Sequence, residues 1–171
     1  IFLDLKLHDI PNTVHETILG FAGCNIELLT IHLSGGQKMI TAAMAAAQII
    51  KTKIIGVSVL TSLNDEDSSV LFQSTTRDQV ARLFKLANET GIDGIVCSPL
   101  ELDLAVNILP PEMLKITPGI RDIEVSDDQS RTMTANEAIN HGASYLVIGR
   151  PISKASNVSE ALRYFNESAD E

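Results

Sequence analysis

Tryptophan is absent from this sequence and aromatic residues make up only 4% of it, so platforms on which nucleic-acid bases could stack are scarce. Basic residues are outnumbered, 13 lysines and arginines against 22 aspartates and glutamates, for a formal charge of −9. The basic patch expected of a nucleic-acid binder is therefore missing. An anionic small substrate stays compatible, provided a few well-placed cations and backbone N–H donors act against the global field. The two cysteines, Cys24 and Cys97, lie far apart without metal-ligand spacing, and read as reduced core thiols of a cytosolic protein. No apolar run reaches the length of a membrane span, and no secretory signal precedes the first strand-like run. Glycine-rich phosphate loops of the G-x-G-x-x-G or Walker type do not occur. What these absences leave is the expectation of a cytoplasmic protein acting on a small molecule.

What is present is a regular alternation of short apolar runs with amphipathic segments. The 171 residues, 44% hydrophobic and 20% charged, suffice for one domain with a real core. Strands are expected at 1–7, 26–33, 53–60, 92–97, 113–118 and 144–148, and helices near 13–22, 36–50, 77–90, 99–107, 134–141 and 156–168. Start signals support several helices: Asp78, Ser98-Pro99, and Thr134 with Glu137 as a capping box. Gly91 and Gly142 mark helix ends. Strand–helix repetition means parallel strands joined by right-handed crossovers, in a single domain spanning 1–171. The polar residues decide between an open sheet and a barrel. Asp4, Lys6, His32, Thr61, Ser98, Thr117, Gly149 and Arg150 fall at or just beyond strand C-terminal ends, which is the catalytic face of a (β/α)8 TIM barrel. Six units are counted where that fold needs eight.

The opening stretch, IFLDLKLHDIPNTV, carries the chemistry. Residues two apart share a strand face, so Asp4, Lys6 and His8 point one way and Leu3, Leu5 and Leu7 the other. Asp9 falls just past the strand, and Pro11 helps to start a helix. On an ordinary solvated strand Asp4 and Lys6 would be a structural ion pair. In a barrel interior, charges are costly unless paired and are tolerated mainly at functional sites. An array of Asp, Lys and Asp fixes the direction of the ammonium and presents negative charge to whatever binds beside it.

These residues resemble a known signature. DLKLHDIPNT is similar to D-x-K-x-x-D-I-P-x-T of the orotidine 5'-monophosphate decarboxylase family, its bacterial form in particular. IHLSGG (31–36), VSVLTS (57–62), ITPGIRD (116–122), DQSRTMT (128–134) and YLVIGRPI (145–152) resemble family segments in the same order. The resemblance implies removal of CO2 from the pyrimidine C6 of orotidine 5'-monophosphate, giving UMP in de novo pyrimidine biosynthesis, with no metal or organic cofactor. It implies Lys6 as proton donor to C6 and Asp4 as the carboxylate set against the departing carboxylate. Asp9 would reach across a homodimer interface into the partner's site, with Thr13 behind it on the sugar-phosphate side. Gly149 and Arg150 would hold the phosphate, Gln129 would serve the phosphate loop and reach toward the base, and Thr61 and Arg121 would add ligand contacts. His8 and His32 match no catalytic role and read as structural, while His15 and His141 read as solvated helix positions.

Two departures and two rivals accompany the resemblance. The stretch 122–128, DIEVSDD, lacks the glycines usual there. The chain also begins inside the family's third strand, so that strands 3 to 8 are covered and two βα units are not. Those units carry a ribose-binding aspartate and the second lysine of a Lys–Asp–Lys–Asp array. The expectation is that residues 1–171 alone fold poorly and turn over little substrate. The alternatives are a Mg2+-dependent sugar-phosphate decarboxylase of the same superfamily, which shares the Asp-x-Lys-x-x-Asp core, and an inactive chain that binds UMP-like ligands or nothing.

Overall fold

The structure, a computed structural model, describes residues 1–121 and 132–170. Six strands, β1 (Phe2–Leu7), β2 (Leu28–His32), β3 (Lys53–Val57), β4 (Gly94–Val96), β5 (Leu114–Pro118) and β6 (Tyr145–Val147), form one sheet. Each pairs in parallel with the next in chain order. Parallel neighbours need a long crossover, and helices supply it: α1 (Pro11–Leu19), α2 (Gly36–Ile50), α3 (Asp65–Phe72), α4 (Thr76–Thr90), α5 (Leu102–Ile108), α6 (Ala135–Asn140), α7 (Arg150–Ser153) and α8 (Val158–Asp170). The strand order never reverses, so the sheet has no topological switch point of the doubly wound kind.

Apolar residues on both faces of the sheet are used differently. Leu29, Ile31, Ile54 and Ile95 pack outward with Met39, Ile40, Ala43 and Ala47 of α2 and Val80, Phe84 and Ala87 of α4. The alanines of α2 let helix and sheet approach closely. Facing the other way, Leu28, Ile55 and Ile116 are buried together, with Phe2, Val96 and Leu114 against them. Ile1, Phe2, Leu28, Ile116, Tyr145 and Val147 line one cavity of about 240 Å³. The first and last strands thus look into the same space, which a flat sheet could not achieve. The sheet is an arc of a (β/α) barrel. Among the described residues, β1 and β6 each pair on one side only.

Local signals account for most boundaries. Thr134 and Glu137 form the expected capping box before α6, and Ser98 with Glu101 forms another over the 3-10 turn Pro99–Glu101 that leads into α5. Gly91, at φ 65°, closes α4. The start of α4 is capped by Thr75, whose hydroxyl accepts from the Asp78 N–H at 3.1 Å, so Asp78 lies inside the first turn. Helix α3 was not foreseen. It has Val70 and Leu71 exposed and so lacks the apolar periodicity that betrays a helix. The Asn64–Asp67 capping box and three acidic residues in its first turn start it instead, where the helix dipole favours negative charge. β1 and β5 end where the apolar runs suggest, whereas the other four strands end earlier, most of all β3, at Val57 rather than residue 60. Of the two free cysteines only Cys97 belongs to the core; Cys24 is exposed, because it lies in the turns after α1 rather than within an element.

Gly94 is where two backbones come closest. A Cβ there would stand 2.7 Å from Leu114 Cβ and 2.8 Å from the Leu114 carbonyl oxygen, on the strand to which Gly94 is paired. Neither atom can withdraw without disturbing the ladder. Gly94→Ala is expected to destabilise by about 1–3 kcal/mol, read as a lower urea midpoint with an unchanged slope.

Candidate active site

Strand β1 is not the simple alternation that its sequence suggests. Leu3 lies opposite Leu29 but Leu7 opposite Ile31, so β1 holds extra residues between those pairs and bulges. The bulge centres on Lys6, whose φ of 52° is left-handed, a region that side chains other than Gly and Asn seldom adopt. Leu3 and Leu7 still pack on the outer core, whereas Leu5 is exposed, so the three leucines do not share one environment as strict alternation would have it. Such irregularities next to a site commonly re-aim a side chain.

What the bulge aims is the Lys6 ammonium, which donates to Asp4 Oδ2 at 2.6 Å. The other carboxylate oxygen, Oδ1, accepts from the Thr30 hydroxyl at 2.8 Å. Thr30 Oγ1 in turn accepts from the Lys6 backbone N–H at 2.8 Å. The Lys6 and Asp4 side chains are 38% and 47% exposed, so their Coulomb attraction is screened and gives little stability by itself. Thr30 is fully buried. It is a polar residue in the otherwise apolar run LLTI, on the same strand face as His32, and that placement was the available signal for a residue that motif reasoning passed over.

Beside the pair, the rings of His8 and His32 lie with centroids 5.4 Å apart and planes tilted by 45°. Gly35 lets this corner close: a Cβ there would overlap the Met39 thioether and come within 3.3 Å of His8 Cδ2. Burial pushes the His32 imidazole below its ordinary range, and the neighbouring His8 and Lys6 push the same way, with Asp4 opposing them. Asp9 lies beyond the strand with Oδ1 accepting from the Ile10 N–H at 2.6 Å, where Pro11 opens α1. Thr13 is exposed in the first turn of α1.

The remaining candidates lie on other loops. Thr61 follows β3 and is half-buried. Arg121 follows β5, with its guanidinium donating to the Ile120 carbonyl at 2.7 Å and its backbone N–H to Met133 at 3.0 Å. Gly149 and Arg150 follow β6. Gly149 is exposed, its carbonyl accepting from Ile152 and Ser153, and Arg150 begins α7. Because every strand runs the same way, these loops and the Asp4–Lys6 pair share one rim of the arc. Direct contact joins Asp4 and Lys6 to each other; the loop residues are gathered by topology. Gln129 and the stretch 122–128 lie outside the described residues.

An in-order parallel β/α arc, with the ion pair on its C-terminal rim, is the architecture of the (β/α)8-barrel class, whose enzymes carry their sites on that rim. The model of the orotidine 5'-phosphate decarboxylase / HUMPS family matches residues 1–165, and the chain belongs to that family. It is 49% identical over 158 residues to the orotidine 5'-phosphate decarboxylase of Wolbachia pipientis subsp. Culex pipiens (strain wPip), covering 92% of this chain and 70% of the relative. With that of Nitrosomonas europaea it shares 43% over 169 residues, or 98% and 73% of the two chains. The crystal structure of orotidine 5'-phosphate decarboxylase from Lactobacillus acidophilus superposes with a TM-score of 0.84 at 34% identity, covering all of this chain and 75% of that one.

The lowered His32 fixes the sign of a pH effect. As pH falls through 6.5, the unfolded chain takes up a proton that the folded state resists, so stability present at neutral pH is lost on the acid side. Urea midpoints should decline across that range, and His32→Gln should flatten its share of the slope.

Proposed function

We propose that this chain, as part of a complete barrel, catalyses loss of CO2 from orotidine 5'-monophosphate to give UMP in pyrimidine nucleotide synthesis, in the cytoplasm. The observation that carries the reading is the Lys6 ammonium held 2.6 Å from Asp4 Oδ2 at the barrel rim, in a chain about half identical to named orotidine 5'-phosphate decarboxylases. That likeness favours a nucleotide over a keto-sugar phosphate as substrate.

The chemistry follows from residue type. The bond between C6 and its carboxylate breaks, CO2 leaves, and the electron pair remains on C6, a carbon that a pyrimidine stabilises poorly. A fixed cation aimed at that carbon interacts more strongly with the developing anion than with the ground state. Lys6 then gives C6 a proton and is reprotonated from solvent. Asp4 orients the ammonium and lies beside the departing carboxylate. Every step is assigned to side chains, and no metal or organic cofactor takes part. Gly149 and Arg150, with Gln129, hold the phosphate; the guanidinium fork suits phosphate oxygens, and binding so far from the reacting bond is used for orientation. Thr13, Thr61 and Arg121 complete the sugar and base contacts. Asp9, exposed just ahead of α1, enters the partner's site in a homodimer.

The reading extends to a closed barrel. β1 and β6 line a common cavity in which Tyr145 and Val147 stay exposed, and each strand pairs on one side only, an opening that two further βα units would fill in an eight-stranded closure. In the complete barrel, Lys6→Met should lower kcat by roughly a thousandfold or more, since it removes both the proton and the charge. Arg150→Ala should act chiefly on KM. Absorbance decay of orotidine 5'-monophosphate checks both, and full turnover by Lys6→Met would end the proposal. Residues 1–171 assayed alone should show little turnover, and more when expressed with the first two βα units of the Wolbachia relative.

A further inference from the structure

We infer that Thr30 is the positioning residue of the reactive pair: its buried hydroxyl sets both the backbone of Lys6 and the carboxylate that aims the ammonium. The inference rests on the catalytic reading of Lys6 and Asp4.

Three contacts close a ring. Lys6 Nζ donates to Asp4 Oδ2, Thr30 Oγ1 donates to Asp4 Oδ1, and the Lys6 backbone N–H donates to Thr30 Oγ1. The donor roles are not interchangeable. A backbone N–H can only donate, so Thr30 Oγ1 accepts from Lys6, and its single proton is left for Asp4.

The ring solves two problems at once. The bulge takes Lys6 out of the regular ladder at a left-handed φ, where its N–H needs another acceptor. The ion pair itself is more than one-third exposed on both sides, so screening leaves its direction loosely defined. Thr30 is fully buried and held on β2, whose pairing with β3 is regular over all five of its residues. A rigid strand therefore supplies the anchor that the partly solvated pair lacks. Positioning at this level matters because a displacement of about 1 Å can cost on the order of a hundredfold in rate.

The test uses the complete enzyme and four variants. Thr30→Val keeps shape and removes the hydroxyl. Thr30→Ser keeps the hydroxyl, and Thr30→Cys differs from it by one atom, so that this second pair decides the matter if the valine variant fails to fold. Lys6→Met reports separately on the catalytic reading. Expected are a roughly ten- to hundredfold loss of kcat for Thr30→Val and a clear loss for Thr30→Cys, with KM within about twofold. Thr30→Ser should stay near the parent, and UMP affinity by calorimetry should be unchanged across the three Thr30 variants. Undiminished kcat in Thr30→Val or Thr30→Cys overturns the inference, as does Thr30→Ser falling as far as Thr30→Cys, or a matching loss of UMP binding. If Lys6→Met is inactive while Thr30→Val is not, only the role of Thr30 fails; if Lys6→Met retains turnover, the catalytic reading fails with it.

Discussion

A parallel strand can rejoin its neighbour only by crossing over the sheet, and that constraint organises everything else in this molecule. Each crossover here is helical, and each returns the chain to the next position in the same sheet. Six strand ends consequently open on one rim, so that residues as distant in sequence as Lys6 and Arg150 share it by direction alone. The helices bury the outward side of the sheet through α2 and α4, which carry much of the apolar core. Stability is thereby drawn from one face and chemistry from the end of the other.

Much of this was legible beforehand. The spacing of apolar runs marked all six strands, and cap residues located α6 to within a residue at each end, while Ser98 marked the 3-10 turn that leads into α5. The Asp4–Lys6 ion pair was legible as well, since opposite charges two apart on a strand are close enough to meet.

Other parts were hidden for physical reasons. Helix α3 gives no amphipathic signal because it buries almost nothing, and its Asn64–Asp67 cap is a short polar pattern easily taken for a loop. The bulge in β1 is invisible to a rule of strict alternation, which cannot see a residue turned left-handed. Thr30 escaped notice because threonine is at home in strands, and its importance comes from two contacts 24 and 26 residues away in sequence. Cys24 departs from the usual burial of cysteine because the turns after α1 leave it in solvent.

The left-handed backbone at Lys6 also bears on how such a chain would drift under selection. A lysine in this region forgoes roughly 1–2 kcal/mol that glycine would largely recover. Pressure for durability alone would erode the position, whereas under the proposed role of its amine pressure for turnover would retain it. On that reading robustness and chemistry pull in opposite directions here, and a lineage freed from the need for the amine should lose it early.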